Sequence, residues 1–172
     1  MDATTREEAL ELSQELMADI ELSRLPIDQM VLKCTRLARI VRDEKASDWL
    51  SWERGTIPSG ERTRNWRERT RRLFADESEN IYIGAVQIVP MVNGWKSQLN
   101  QLRVPDASGE QAYVVVGNIL SQIGQLRNAI QQYEMILAAV NSEMHNFVVS
   151  THYALNLNPW IVDLGDFRSI LW

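Results

Sequence analysis

Between Val116 and Phe147 the chain repeats an apolar side chain with a period of seven, and this constrains its fold more than any other feature. With Val116 at heptad position a, the a positions are Val116, Ile123, Ile130, Leu137 and Met144. The d positions are Ile119, Leu126, Tyr133, Val140 and Phe147. All ten are apolar or aromatic. In a chain with 45% hydrophobic residues, one fixed register would do this by chance about three times in ten thousand. A strict seven-residue period over some 32 residues, about 48 Å of helix, stays on one line only if the helix supercoils with a neighbour. The e and g positions add Leu120, Ala129, Ile136 and Val148, beside only Arg127, Glu134 and Glu143 as charges. A free two-stranded coiled coil places Glu and Lys there, so the buried face is wider than a dimer seam. It fits a helical bundle in which other helices of this chain, or copies from a second chain, cover both flanks.

The rest of the chain supplies candidate neighbours. Residues 5–22 place Ala9, Leu10, Ser13, Leu16, Met17 and Ile20 on one helical face, with acidic residues elsewhere. "SRLP" breaks that helix. From Ile27 the stripe Ile27, Met30, Val31, Cys34, Leu37, Ala38, Val41 follows helical spacing. Two helices joined by so short a break fold back on each other. A third, short helix at about 47–53 offers Trp49, Leu50 and Trp52 as anchors and ends at Gly55, before the loop "GTIPSG". The basic stretch "ERTRNWRERTRRLF" is helical by pattern, with Trp66, Thr70, Leu73 and Phe74 on one face. "IYIGAVQIVP" has the β-branched and aromatic content of a short strand or ribbon closed by Pro90, and a helix is expected over 91–103. The expected fold is mainly α: a helical bundle with an N-terminal hairpin, one long C-terminal coiled-coil-like helix and a small β-ribbon in the middle. Residues 5–55 form the hairpin plus a short helix, 56–110 an irregular basic or extended middle, 111–156 the long helix and 157–172 a tail.

The stretch "ELSRLPIDQMVLKCTRLARIVRDEKASDWLSWERG", residues 21–55, resembles the N-terminal helical hairpin of the AbiTii family of abortive-infection proteins. The features that carry the likeness are the acidic first helix, the S-x-L-P-I break, the "LKCTRLAR" helix and the short "DWLSWE" helix ending in Gly. "MHNFVVSTHYALNL" is similar to the end of that domain's long last helix. The resemblance implies a single domain of that kind over 1–172 and a role in bacterial anti-phage defence, often as a module joined to others. It carries no catalytic motif. The ending "RSILW" is compatible with a chain that continues.

Chemistry is sparsely signalled. The chain has no phosphate-binding G-x-x-x-x-G-K-[ST] or G-x-G-x-x-G motif. Neither His145 nor His152 follows an Arg at the four-to-six-residue spacing of HEPN ribonucleases. The two His share a helix face, and Glu143, Asp163 and Asp166 could join them around a metal, but zinc signatures supply three or four ligands at short spacing. Cys34, the only cysteine, lies on an apolar stripe and is expected to pack, not react. No catalytic residue, cofactor or metal site is expected, although a small toxin enzyme with a hidden site remains an alternative.

The net charge of −5 hides one basic block. Residues 51–75 hold seven Lys/Arg against three Asp/Glu, whereas 1–50 hold seven against eleven and 76–172 four against nine. Arg62, Arg64, Arg67, Arg69, Arg71 and Arg72 are candidate contacts to phosphate or to an acidic partner, the composition suiting bidentate pairing and base stacking. Three readings stand: a solvated helix with i, i+4 pairs, a protein contact such as the acidic first helix of another copy, and nucleic acid, which the acidic remainder would repel. Trp49, Trp52, Trp95, Trp160 and Trp172 are core or interface anchors. The tail gathers Trp160, Phe167, Ile170, Leu171 and Trp172 into a patch that, exposed, would need a partner. The expected function is non-enzymatic assembly or sensing in a cytoplasmic defence system. Homo-oligomerisation would run through the long helix, with an effector domain or defence protein as a further partner. No membrane span is expected, and a nucleic-acid-binding module using residues 54–72 is the alternative.

Overall fold

The computed structural model describes residues 2–75, 80–103 and 110–157, and the side chains of 110–112 lie outside that description. Among the described residues the chain is an α-helical bundle. Its helices are α1 (Ala3–Glu21), α2 (Ile27–Ile40), α3 (Glu44–Arg54), α4 (Arg64–Arg69, entered through a single 3₁₀ turn), α5 (Ala85–Gln101) and α6 (Glu110–Leu157). Local chemistry starts each helix of the N-terminal part. Asp2 caps α1 by accepting the Thr5 amide at 2.7 Å, Pro26 precedes α2, and Asp43 caps α3 by accepting the Ala46 amide at 2.8 Å.

The N-terminal hairpin forms as the apolar stripes require. Ala9, Leu16 and Ile20 of α1 and Met30, Val31, Cys34, Leu37 and Ala38 of α2 are all in the core. α1 then lies antiparallel along the C-terminal third of α6. Arg6 donates to the Leu155 carbonyl, Ser13 meets His152 and Glu21 meets His145, so the α6 number falls as the α1 number rises. α5 covers α6 further towards its N-terminus, where Trp95 sits edge-on to Tyr133 at 5.1 Å and Lys96 pairs with Glu134 at 2.6 Å.

The β-ribbon expected around 81–90 shrinks to a single antiparallel bridge, Thr56 to Ile83, flanked by bonds from the Ile57 amide to the Tyr82 carbonyl and from the Gly84 amide to the Gly55 carbonyl. From Ala85 the chain is helical, with Pro90 inside α5. Ala85, Ile88 and Val92 are buried at the three- and four-residue spacing of a helix face, and that packing overrides the β propensity of the β-branched side chains. Gly84 is required at the entry to α5. A Cβ there would stand 2.5 Å from the carbonyl oxygens of Trp52 and Glu53.

Candidate functional site

The long seam divides into two halves with different surroundings. Ile130, Val140, Met144 and Phe147 are buried, together with the flanking Ile136 and Val148. Tyr133 and Leu137 are half-buried and packed on the same core. Towards the N-terminus, Val116, Ile119, Ile123 and Leu126 are only half-buried. Beside them Tyr113 is 82% exposed, Leu120 54% and Val115 48%. The gradient follows from helix lengths. α1 meets α6 over residues 145–155, and α5 ends five residues beyond the Lys96 that reaches Glu134. Five residues span about 8 Å of helix, whereas α6 has 24 residues, about 36 Å, before Glu134. The apolar face there is accompanied by a single charged residue, Arg127, between Glu110 and Glu134.

The arginines do not form one face. Arg62 pairs with Asp48, Arg64 with Glu61 at 3.6 Å, Arg69 with Glu143, and Arg72 with Glu53 at 2.8 Å. Arg67 is buried, donating to the Tyr82 hydroxyl at 3.2 Å and to the Gly60 carbonyl at 3.1 Å. Exposed Arg71 reaches the Met135 sulfur at 3.8 Å. Four of the six candidate contacts thus already hold a carboxylate of their own chain, which leaves little of the block for a polyanion.

Sequence reasoning missed the centre that organises this region. Glu53, at the last turn of α3, is fully buried. Its Oε1 accepts from the Trp66 indole N–H at 2.7 Å, and its Oε2 accepts from Arg72 and from the Ala85 amide, each at 2.8 Å. One carboxylate therefore joins α3, α4 and the segment after it, and the N-terminus of α5, where the helix dipole favours negative charge. Burial pulls the Arg72 pKa below its usual value, and the Glu53 charge opposes that shift. Two Arg72 nitrogens, Nε and Nη1, are enclosed without a hydrogen-bond partner among the described residues. The spacing of Glu53, Trp66 and Arg72 in sequence follows no periodic rule, so no pattern signalled the cluster.

Beside that centre the described residues form a groove. Trp49 stacks on Trp66 with ring centroids 4.6 Å apart, Phe147 meets Trp49 edge-on at 6.0 Å, and the Arg69 guanidinium lies over the Trp66 ring at 5.8 Å. A cavity of about 200 Å³ opens against these rings, lined also by Lys45 and Asn146. A second cavity, of about 330 Å³, shares the paired Arg69 and Glu143 as lining and is flanked by Arg71 and Met135. Burial lowers the Arg69 pKa.

The other candidates are placed apart. His145 faces Glu21 at 3.3 Å, whereas His152 bridges Ser13 at 2.9 Å and Asn156 at 3.0 Å. Glu143 is held by Arg69 through two contacts, and among the described residues no three potential ligands gather. Asp163, Asp166 and the apolar tail with Trp160 and Trp172 lie outside the described residues. Cys34 is fully buried, and burial pushes its thiol up to about 12, so it is protonated at neutral pH. No helix among the described residues is long and apolar enough to cross a membrane. No family model, no curated protein and no solved structure matches this chain.

Proposed function

We propose that this chain is a non-enzymatic assembly module that self-associates through the N-terminal half of α6, serving a bacterial anti-phage abortive-infection system. One observation carries the assembly reading. The apolar face of Tyr113, Val116, Ile119, Leu120 and Ile123 extends beyond the helices that cover the rest of α6. The occupant best suited to it is a second copy. Partner choice between unlike helices is usually written in opposite charges at e and g, whereas this segment carries only Arg127 and can meet itself without like-charge repulsion. The defence role rests on the resemblance of residues 21–55 to AbiTii domains.

Light scattering of the purified chain from low to high micromolar concentration tests the first part. A dimer or larger assembly is expected, converted to monomer by Ile119→Asp/Leu120→Asp, with a cooperative unfolding transition by circular dichroism showing that the covered bundle stays folded. A wild-type monomer throughout would overturn it. For the second part, bacteria expressing the chain are challenged with phage. Protection that disappears in the double variant is expected, and protection indifferent to assembly would refute the link.

A further inference from the structure

We propose that the groove between the C-terminal half of α6 and the α3–α4 region binds a nucleoside monophosphate, with the base against Trp49 and the phosphate between Arg69 and Arg71. This proposal is independent of assembly, since the groove lies at residues 135–150 of α6 and the self-association face at 113–126.

Charge is the first support. The protein has a net charge of −5, yet Lys45, Arg69 and Arg71 line these cavities against one acid, Glu143. Glu143 is engaged by Arg69, and no described carboxylate lies within ion-pair distance of Lys45 or Arg71. Two exposed cations, one beside each cavity, are thus without an ion-pair partner among the described residues. Arg presents a planar fork suited to phosphate oxygens, and the Arg69–Glu143 pair, half exposed on the Arg side, can reorient towards an incoming anion.

The second support is composition along the groove. At one end the wall is aromatic, and Trp49 keeps part of its ring accessible beside the 200 Å³ cavity. At the other end Arg69 and Arg71 flank the 330 Å³ cavity. A flat apolar ring and a phosphate would therefore each meet a matching surface, on either side of the Arg69–Glu143 pair. Between them α6 presents Ser142 and Asn146, four residues apart and so on one face, as neutral hydrogen-bonding groups for a sugar. The cavity at the Arg71 end, about 330 Å³, by itself reaches the ~300–1,000 Å³ typical of small-molecule sites. A nucleic-acid polymer fits less well, because phosphate tracking needs many free cations and this groove offers two.

Adenosine, guanosine, cytidine and uridine 5′-monophosphates are titrated into the full chain, following tryptophan fluorescence and calorimetric heat. Adenosine and inorganic phosphate serve as the ring-only and anion-only probes. At least one monophosphate should bind and quench Trp emission, its nucleoside and free phosphate each binding at least tenfold more weakly. Arg71→Gln and Lys45→Gln, both at exposed positions, should weaken it about tenfold, with thermal unfolding confirming that the variants fold. Absence of binding to all four at millimolar concentration would overturn the proposal. So would binding that both variants leave unchanged, or free phosphate binding as tightly as the nucleotide. None of these outcomes depends on the state of assembly, which is read separately by light scattering.

Discussion

Replacing Glu53 by Gln isolates the charge of the buried carboxylate from its shape. The amide keeps one acceptor for Trp66 or Ala85, but it turns a donor towards groups that are themselves donors, and it removes the carboxylate charge that pairs with Arg72. Both partners are fully buried, and two further Arg72 nitrogens already lack partners among the described residues, so water cannot take over the role of the carboxylate without opening the core. Breaking one side of a buried pair costs about 3–5 kcal/mol, a large part of the ~5–15 kcal/mol that holds a domain together. At about 2–4 °C per kcal/mol for a chain of this size, the melting temperature should fall by roughly 10 °C. Urea unfolding followed by circular dichroism reads the loss directly. The variant Glu53→Gln/Arg72→Met removes the stranded charge and should be more stable than Glu53→Gln alone by about 1–2 kcal/mol, an estimate built on the same penalty. A loss below about 1 kcal/mol for Glu53→Gln, or a double variant no better than the single, would refute the view that this pair governs the region.

Other outcomes follow from the same geometry. Gly84→Ala should destabilise by about 1–3 kcal/mol in chemical denaturation, because its Cβ would meet two backbone carbonyls at 2.5 Å. Asp43→Ala should cost about 1 kcal/mol in the same assay by removing the cap of α3. Ile130→Asp, at a buried position, should lower the melting temperature at every protein concentration, whereas Ile123→Asp, on the half-buried part of the helix, should act chiefly on the mass in light scattering. Burial raises the Cys34 thiol from 9.0 to about 12, so the folded chain holds that proton more tightly than the unfolded chain. The resulting stabilisation is complete below pH 9 and is lost as pH rises towards 12. Stability against urea should therefore decline above pH 9 with an added slope approaching about 1.4 kcal/mol per pH unit, and Cys34→Ala should lack that slope.

The hairpin was legible because its information is local. Met30, Val31, Cys34, Leu37, Ala38 and Val41 repeat at helical spacing in sequence and are buried together in the structure. The long helix was legible for the same reason, but its heptads do not say where its neighbours stop. That boundary depends on the lengths of α1 and α5 and on where they dock. Residues 85–90 misled because β-branched side chains suit both a strand and a buried helix face, and Gly84 with its close carbonyl contacts decides between them only in three dimensions. The arginine block misled in the other direction. Arg67 and Arg72 look solvated by composition, yet the carboxylate that receives Arg72 lies 19 residues upstream, on a helix that reads as amphipathic without it. Likewise the groove joins Lys45 to residues of α6 about a hundred positions away and Arg71 to Met135, 64 positions away, which no periodicity records.

The glycines of α6 give its uneven covering a thermodynamic consequence. Gly117 and Gly124 lie in the segment ahead of the covered half, with open space where a Cβ would stand, and each costs about 1 kcal/mol of helix stability relative to alanine. Most of the stability of a helix in a protein comes from packing its apolar face and not from propensity, so a stretch without a packing partner is weakly held. Its amide hydrogens should therefore exchange with deuterium faster than those near Val140, and their protection should rise with protein concentration while the covered half stays unchanged. Ordering the segment and joining a second copy would then be one coupled equilibrium. Gly117→Ala and Gly124→Ala, by lowering the ordering cost, should tighten association without adding a contact.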